Sequence, residues 1–315
     1  MTALFAWPGE LKFGTRGVAL TFVVPATSCN LRCSFCAIKQ RREVEHTALS
    51  VDDYVYFLTD VAQADPLAIT AVQGYEPLLP ESWPYTSAII SAASRSGIPS
   101  CFVTNGVLLA ERLRDIVNLN PTGVTVSLDS ADPAQHDRVR GVPGAFEATL
   151  AGLRAIAAVN GFVRKLTVSS VLLPSRRRFL DDIPSLLAAV GVSQWVISPL
   201  LRIGKHSPGG PVGRSDQIVE DLLLLRDRAT ARGINVVLDD ELGHLDAGEF
   251  EYAGVVARQF KRPEGLLRLT PSGACSSGED ILQQIGPHTP IWSPTIRPRT
   301  FIQSLLPNVM RSMAA

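Results

Sequence analysis

Three cysteines near the N-terminus, Cys29, Cys33 and Cys36, have a spacing that suits metal chemistry. Three thiols on one short loop cannot form a disulfide framework, and each thiolate is a soft metal ligand. A structural zinc ion or an electron-carrying iron–sulfur cluster normally takes four protein ligands. The triad therefore predicts either a [4Fe-4S] cluster whose fourth iron is open to a substrate or cosubstrate, or a zinc site that another residue such as His46 completes.

The composition of the whole chain limits the partners and the cellular compartment that this site can have. The chain has 315 residues, of which 46% are apolar and 19% charged, and its 30 basic residues balance its 30 acidic ones. This balance predicts no nucleic-acid partner and no membrane partner. The start of the chain has no signal-peptide pattern, and no apolar run approaches the roughly 18 residues that span a bilayer. We expect a reduced, cytoplasmic setting, which suits free thiols.

The hydrophobic pattern alternates short β-branched runs with longer helical stretches. The predicted strands cover 19–24, 67–73, 100–104, 123–128, 166–172, 194–199, 234–238 and 266–270. The predicted helices cover 50–64, 85–96, 109–118, 145–159, 179–190 and 215–232. Repeated strand–helix units of this length require a parallel sheet with right-handed crossovers. We expect an α/β fold: a full or partial (β/α)6-8 TIM-type barrel over residues 1–240, and a short irregular C-terminal extension, 241–315, that packs on the barrel mouth.

In such a barrel the chemistry lies at the carboxyl ends of the strands. Polar residues and turn formers cluster at those predicted ends, as a ligand pocket requires. They are Gln73 to Pro77, Thr104 to Gly106, Ser127 to Ser130, Ser169 with Ser170, and Ser198 with Pro199. Four polar residues follow the seventh predicted strand: Asp239, Asp240, Glu241 and His244. They could contact a polar substrate or form a solvated loop, and the sequence favours neither.

The cysteine loop resembles the cluster-binding signature of the radical S-adenosylmethionine (SAM) superfamily, with the aromatic Phe35 just before the last cysteine. After the second predicted strand, Gly74-Tyr75-Glu76-Pro77 is similar to the family's Gly-Gly-Glu-Pro motif, with Tyr75 in the place of the second glycine. A glycine at that position indicates a backbone conformation that other residues rarely adopt. Ser127-Leu128-Asp129 and the segment from His136 to Gly141 resemble two further motifs of the family.

The resemblance implies a cluster whose open iron binds the amino nitrogen and carboxylate of SAM. An external one-electron donor such as flavodoxin or ferredoxin reduces the cluster, and SAM splits into methionine and a 5′-deoxyadenosyl radical that takes a hydrogen atom from the substrate. By the same resemblance, Glu76 meets the SAM amino group, and Arg140, or alternatively Arg138, pairs with the SAM carboxylate. The implied SAM-binding residues are Phe35, Gln73, Gly74, Tyr75, Glu76, Ser127, Asp129, Arg140, Ser170 and Leu200.

The last predicted strand leads through the turn Pro271-Ser272-Gly273 to a lone cysteine, Cys275. This segment resembles the start of the extension in which many members of the family bind auxiliary clusters, but the further cysteines are absent. Since Cys101 lies in a predicted strand, we expect a single cluster. Three alternatives remain for Cys275: a remnant packed in a loop, a hydrogen-atom donor to a product radical, or a ligand to the substrate or cluster.

Three functional hypotheses follow. The first is a radical SAM enzyme that acts on a small polar metabolite, such as a sugar, nucleoside or amino-acid derivative. Its reaction is an epimerisation, dehydrogenation, elimination or rearrangement in natural-product biosynthesis. The second is radical modification of a ribosomally made peptide, although we expect no peptide-recognition domain before the first strand. The third is a non-catalytic iron–sulfur or zinc protein with a structural or sensing role.

Overall fold

The computed structural model describes residues 18–25, 29–36, 49–173, 176–200, 214–239, 256–258, 266–273 and 275–277. The strands within them are β1 (Ala19–Val23), β2 (Ile69–Gln73), β3 (Ser100–Thr104), β4 (Gly123–Ser127), β5 (Leu166–Leu172), β6 (Gln194–Pro199), β7 (Asn235–Asp239), β8 (Val256–Arg258), β9 (Leu266–Leu269) and β10 (Cys275–Ser277). They form one sheet in the order β10-β9-β1-β2-β3-β4-β5-β6-β7-β8.

Strands β1 to β9 pair in parallel, and β10 is antiparallel to β9. Within the described part of the chain, β8 and β10 lie at the two ends of the order and do not pair with each other. The sheet is therefore an open, partial barrel. The predicted α/β fold with a partial TIM-type barrel is confirmed.

The helices pack on one side of this sheet. They are α1 (Val51–Ala64), α2 (Trp83–Arg95), α3 (Leu113–Leu119), α4 (Pro133–Arg140), α5 (Ala145–Ala157), α6 (Ile183–Val190) and α7 (Ser215–Thr230), with short 3-10 helices at Val163–Lys165 and Arg177–Leu180. Among the residues that the structure describes, no helix is long and apolar enough to cross a membrane.

Helix α1 begins where the sequence predicts. The Ser50 hydroxyl accepts the Asp53 N–H over 3.2 Å, and the Asp53 carboxylate accepts the Ser50 N–H over 2.8 Å, so each residue caps the other. Helix α4 was not among the predicted helices. Its start nevertheless has a sequence signature, because the Asp132 carboxylate accepts the Gln135 N–H over 2.8 Å and Pro133 takes the first helical position.

Alternate residues of each strand face either the helices or the interior of the partial barrel. Most helix-facing residues are large and apolar and belong to the main core, as Leu20, Phe22, Phe102 and Trp195 do. Many interior-facing residues are small or polar, beside buried valines such as Val171 and Val237. Buried members of this second set are Thr21, Ala71, Cys101, Thr125, Ser127, Thr167, Ser169, Val196, Ser198 and Arg268. TIM-barrel interiors are usually filled by bulky branched side chains, whereas this one presents several hydroxyl groups beside its valines.

The C-terminal part of the described chain joins the same sheet. Strand β9 pairs with β1, with Arg268 opposite Thr21, and leads into β10 through a turn at 271–273 in which Gly273 has a φ of +80°. The strand and turn predicted in this region are confirmed. The boundary predicted at residue 241 stays a prediction, and most of the predicted extension lies outside the described residues.

Candidate functional site

The cysteine loop, residues 29–36, is attached to the end of α4 by two backbone hydrogen bonds. The Arg32 N–H donates to the carbonyl of Arg140 over 2.8 Å, and the Ser34 N–H donates to the carbonyl of Val139 over 3.1 Å. Carbonyls in the last turn of a helix have no partner within that helix. The loop therefore satisfies the helix end, and the helix end fixes the loop.

Gly141 permits this attachment. It follows α4 with a φ of +75°, a left-handed value that glycine adopts without strain. A Cβ at this position would lie only 2.4 Å from the carbonyl oxygen of Arg32, so any side chain would displace the cysteine loop. Gly141 belongs to a recognised motif, but the local sequence gives no signal of its contact with a loop so distant in the chain.

The three thiols of the loop are partly buried. The pKa of Cys29 is raised to about 11, chiefly by burial and also by the charges of Glu76 and the other two loop cysteines. The Leu31 N–H, which donates to its Sγ over 3.4 Å, offsets part of this rise. Burial also raises the pKa of Cys33. Metals bind thiolates, so a bound metal must displace these protons.

The chemistry of this donor set fits an iron–sulfur cluster. Thiolates are the usual ligands of such clusters, and the three loop cysteines are close enough for their charges to act on one another. Within the described ranges, no three His, Cys, Asp or Glu side chains are arranged as ligands of a single metal ion. His46, the fourth ligand of the zinc alternative, lies outside those ranges, and that alternative stays a hypothesis.

The turn after β2 has two consecutive residues with left-handed backbones. Gly74 has a φ of +89°, and a Cβ there would lie 2.6 Å from Cγ1 of Val23. Tyr75 has a φ of +39°, which costs a non-glycine residue about 1–3 kcal/mol. The Cys29 thiol donates to the Tyr75 carbonyl over 3.6 Å. The conformation that the family's second glycine indicates is thus present, although a tyrosine occupies the position.

Glu76 joins the exits of β2 and β3. Its buried carboxylate accepts the Thr104 hydroxyl over 2.6 Å, the Asn105 N–H over 2.7 Å and the Leu78 N–H over 3.1 Å. Burial raises the pKa of Glu76 to about 7, and these hydrogen bonds, together with the charge of Arg140, limit the rise. Glu76 therefore organises two strand exits, and its contact with the SAM amino group stays a prediction.

Asn105 is a site residue that the sequence reveals only as part of a turn beside Gly106. Its Nδ2 donates to Oδ1 of Asn30 over 2.7 Å and to the Sγ of Cys29 over 3.9 Å. Its Oδ1 accepts the Val107 N–H over 2.9 Å, which fixes the orientation of the amide. The β3 exit thus contacts the cysteine loop through a neutral side chain.

A chain of charged contacts leads from the β4 exit to the same loop. Asp129 accepts the Val171 N–H over 2.9 Å and pairs with Nη2 of Arg140 over 2.7 Å. Nη1 of Arg140 donates to the Sγ of Cys33 over 3.8 Å, and the guanidinium lies 5.5 Å from the centre of the Phe35 ring. Burial alone would lower the pKa of Arg140, but Asp129 and Cys33 raise it above its usual value.

His136 supports Asp129 from helix α4. Its buried ring accepts the Asp129 N–H at Nδ1 over 3.2 Å and packs edge-on against Phe146, with the ring centres 5.8 Å apart. Burial lowers the pKa of His136 to about 4, and the charge of Arg140 adds to this effect. The imidazole is therefore neutral near pH 7, with its proton on Nε2. The sequence assigned no role to His136 within its motif. The structure shows that its Nδ1 holds the backbone of Asp129.

Ser170 lies on the helix-facing side of β5. Its hydroxyl donates to the Leu128 carbonyl and accepts Nε1–H of Trp195 over 2.9 Å, and Trp195 belongs to the main core. Its neighbour Ser169 lies on the opposite face and is in register with Ser127 of β4. The predicted contact of Ser170 with SAM stays a prediction that this placement does not favour. The two-residue alternation of the strand would have favoured Ser169.

Cys275 is fully buried in the main hydrophobic core, opposite Leu269 in the β9–β10 hairpin. Burial raises the pKa of its thiol to about 12. Of the three alternatives drawn from the sequence, these surroundings favour a packed structural thiol. Its role as a hydrogen-atom donor stays a prediction.

The remaining predicted residues lie near the strand exits. Leu200 packs against a small apolar cluster that includes Phe35. Gln73 and Ser127 end β2 and β4 on the interior face and are buried. Arg138, the alternative to Arg140, is exposed. The predicted polar loop at 240–244 lies outside the described residues.

A sequence profile described as the Radical SAM superfamily matches residues 23–179 of this chain. This range holds the cysteine loop, the exits of β1 to β5 and the whole of α4. The resemblance drawn from the cysteine spacing and the strand-exit motifs is confirmed.

Two curated relatives match parts of the chain. The AdoMet-dependent heme synthase of Methanosarcina barkeri is 34% identical over 132 residues, which make up 41% of this chain and 36% of the relative. The probable GTP 3',8-cyclase of Pyrobaculum aerophilum is 29% identical over 143 residues, which make up 45% of this chain and 44% of the relative. The chain thus spans less than half the length of either relative.

Solved structures of SuiB from Streptococcus suis share the fold. The structure of SuiB bound to S-adenosylmethionine has a TM-score of 0.69 over 94% of this chain and 68% of that chain, at 13% identity. The structure of SuiB bound to its precursor peptide SuiA has a TM-score of 0.67 over 88% of this chain and 62% of that chain. At this identity the likeness concerns the fold alone.

Proposed function

Because the chain belongs to the radical SAM superfamily, we propose that Cys29, Cys33 and Cys36 bind a [4Fe-4S] cluster and that SAM binds beside it at the strand exits. The observation that carries this proposal is the attachment of the cysteine loop to α4 and to the exits of β2 and β3. Three thiolates leave one iron of such a cluster without a protein ligand. The amino-acid moiety of SAM can complete the coordination of that iron.

The residues around the loop would hold SAM as follows. When bound, the reduced cluster and SAM together supply a 5′-deoxyadenosyl radical. Arg140 offers a guanidinium whose buried Nε has no hydrogen-bond partner among the described residues, and a ligand carboxylate would satisfy it. Glu76 holds the turn against which the SAM amino group binds. The proposed SAM-contacting residues are Phe35, Gln73, Gly74, Tyr75, Glu76, Ser127, Asp129, Arg140 and Leu200.

The substrate in this proposal is a small polar metabolite: a sugar, a nucleoside or an amino-acid derivative. The hydroxyl-lined interior of the barrel supports it, since Thr21 is 1% exposed and its Oγ1 has no hydrogen-bond partner among the described residues. Buried hydroxyls without partners favour a ligand that hydrogen-bonds to them. We propose that the electron comes from an external donor such as flavodoxin or ferredoxin in the cytoplasm.

Anaerobic reconstitution with iron and sulfide tests the cluster and the cofactor. We expect about four irons per chain and formation of 5′-deoxyadenosine that depends on both SAM and a reductant. Cys33→Ser serves as the matched control and should lose both signals. One tightly held zinc ion and no cleavage of SAM would refute the proposal in favour of a non-catalytic metal protein.

Deuterium transfer tests the substrate class. Candidate sugars, nucleosides and amino-acid derivatives carrying deuterium are incubated with the reconstituted enzyme, and 5′-deoxyadenosine is examined by mass spectrometry. Deuterium in 5′-deoxyadenosine from one candidate identifies the class. Absence of transfer from every class, with SAM still cleaved, would contradict the metabolite proposal.

A peptide substrate is the second candidate. The observation that favours it is the fold shared with SuiB, whose structure holds a precursor peptide. The same deuterium experiment separates the two, because a labelled ribosomal peptide would then donate the deuterium and the metabolites would not.

A further inference from the structure

One buried side chain joins the cysteine loop to the β4 exit. Arg140 is 5% exposed, and its guanidinium contacts a loop sulfur, a carboxylate and an aromatic ring. The distances are 3.8 Å from Nη1 to the Sγ of Cys33, 2.7 Å from Nη2 to Oδ2 of Asp129, and 5.5 Å from the guanidinium carbon to the centre of the Phe35 ring.

The position of this guanidinium is fixed by the hydrogen bonds of its partner Asp129. Asp129 is 1% exposed, and it is held at its carboxylate by the Val171 N–H and at its own N–H by His136. A buried ion pair whose carboxylate residue is anchored by hydrogen bonds of this kind has little freedom to move. The positive charge therefore stays beside Cys33 whether or not a ligand occupies the strand exits.

We propose that Arg140 is a positioning residue that ties Cys33 to Asp129 and raises the reduction potential of the bound cluster, independently of any contact with SAM. This inference rests on the proposed function, in which Cys33 is a cluster ligand. Reduction adds one electron, and thus one negative charge, without making or breaking a bond. A nearby cation and a hydrogen bond to a ligand sulfur both stabilise that added charge.

The backbone of the same residue allows a clean test. The Arg140 carbonyl accepts the Arg32 N–H, and the Val139 carbonyl accepts the Ser34 N–H. A change of the Arg140 side chain leaves both bonds in place. The loop therefore remains attached to α4 in such variants, and a change in the cluster reports on the guanidinium itself.

The experiment is a redox titration of the reconstituted holoprotein without SAM, with dithionite as reductant and the reduced cluster followed by electron paramagnetic resonance. The variants are Arg140→Gln, which removes the charge, and Arg140→Lys, which keeps it. Arg154→Gln is the matched control, because Arg154 is exposed on the neighbouring helix α5. Iron content is measured for each protein.

We expect Arg140→Gln to bind the cluster but to be harder to reduce, with an equilibrium constant for reduction about tenfold lower, or about 59 mV for a one-electron couple. Arg140→Lys should fall between it and the wild type, and Arg154→Gln should match the wild type. Loss of iron in Arg140→Gln, with iron retained in Arg140→Lys, would support the link from Cys33 to Asp129, and the potential is then compared between Arg140→Lys and the wild type.

Two results would overturn the inference. Arg140→Gln with full iron and the wild-type potential would show that the guanidinium does not act on the cluster. If a separate titration with SAM then shows weaker binding by Arg140→Gln while its potential is unchanged, Arg140 acts on SAM alone. Failure of the proposed function is distinguishable from both, because the wild-type protein itself would then take up no cluster.

Discussion

The cysteine loop is held on two sides by different physical means. On the β4 side, the charged Arg140 contacts Cys33 and is paired with the buried Asp129. On the β2–β3 side, Cys29 meets the neutral amide of Asn105 and the carbonyl of a left-handed turn. The first attachment depends on buried charge, and the second on neutral hydrogen bonds and backbone strain.

This difference indicates that the two sides respond to different changes. Alterations of charge or pH should act through the β4 side, whereas alterations of backbone preference should act on the turn after β2. Both sides nevertheless depend on residues with positive φ, Gly141 on one side and Gly74 with Tyr75 on the other. The following variants separate these contributions.

Gly141→Ala should have the largest effect. Its Cβ would meet the Arg32 carbonyl oxygen at 2.4 Å and displace the cysteine loop from α4, so we expect most of the reconstituted iron to be lost. Gly97→Ala is the matched control, since Gly97 has a φ of +72° and no atom of the described residues lies within 4 Å of its Cβ position. Both variants should lose about 1–2 kcal/mol of unfolding free energy from the left-handed backbone. A full iron content in Gly141→Ala would show that the attachment to α4 is dispensable.

Asn105→Asp should weaken the β3 side without a change of shape. The substitution removes the N–H donors to Asn30 and Cys29 and adds a negative charge beside a thiolate ligand, so reconstituted iron should fall, though less than in Gly141→Ala. Asn118→Asp, at an exposed position on α3, is the control and should keep its iron. Equal iron contents in the two variants would contradict a role of Asn105 in holding the loop.

His136→Gln should flatten the pH dependence of stability. Burial lowers the pKa of His136 from 6.5 to about 4, so the folded state binds fewer protons than the unfolded state between these values. The contribution of the neutral imidazole is therefore present above pH 6.5 and is lost as the pH falls towards 4, by roughly 3 kcal/mol at most. Urea unfolding of metal-free protein across this range should give a steeper slope for the wild type than for the variant. Identical slopes would mean that His136 is not held neutral.

Variants of Tyr75 should have the smallest effect. Tyr75→Gly relieves the left-handed strain but adds backbone freedom to the unfolded chain, so the unfolding free energy should change by about 1 kcal/mol or less. Tyr75→Ala keeps the strain and loses the side chain. We expect Tyr75→Ala to unfold more easily than Tyr75→Gly, and urea titrations of the pair would decide. The opposite order would show that the turn is not strained.

The sequence predicts those features of the site that are local in the chain. The cysteine spacing and the strand exits each depend on neighbouring residues, and each is found in the structure. The positive φ of Tyr75 was indicated only by the glycine that the family has at this position. Helix α4 carries its own start signal in Asp132 and Pro133, yet it is short, and its apolar pattern is too weak to predict a helix.

Contacts between distant segments could not be predicted in the same way. The approach of Gly141 to Arg32 depends on how α4 packs on the barrel, which no local pattern encodes. The alternation of residues along β5 could have predicted that Ser170 faces the helices. The adjacent Ser169 has the same side chain, so residue type alone did not separate the two. Cys275 follows a turn that suggested the barrel mouth, whereas its pairing with Leu269 places it in the core.

The burial of Cys101 and Cys275 sets them apart from the three partly exposed loop cysteines. An alkylating reagent attacks the thiolate, and burial raises the pKa of Cys29, Cys33 and Cys275, so the folded, metal-free chain should react slowly near neutral pH. The three partly exposed thiols should still react faster than the two buried ones. A bound cluster would protect those three as well. Alkylation of this chain therefore gives two measurements at once. The reactivity of the three loop thiols measures cofactor loading, and the lower reactivity of the two buried thiols shows that the fold is intact.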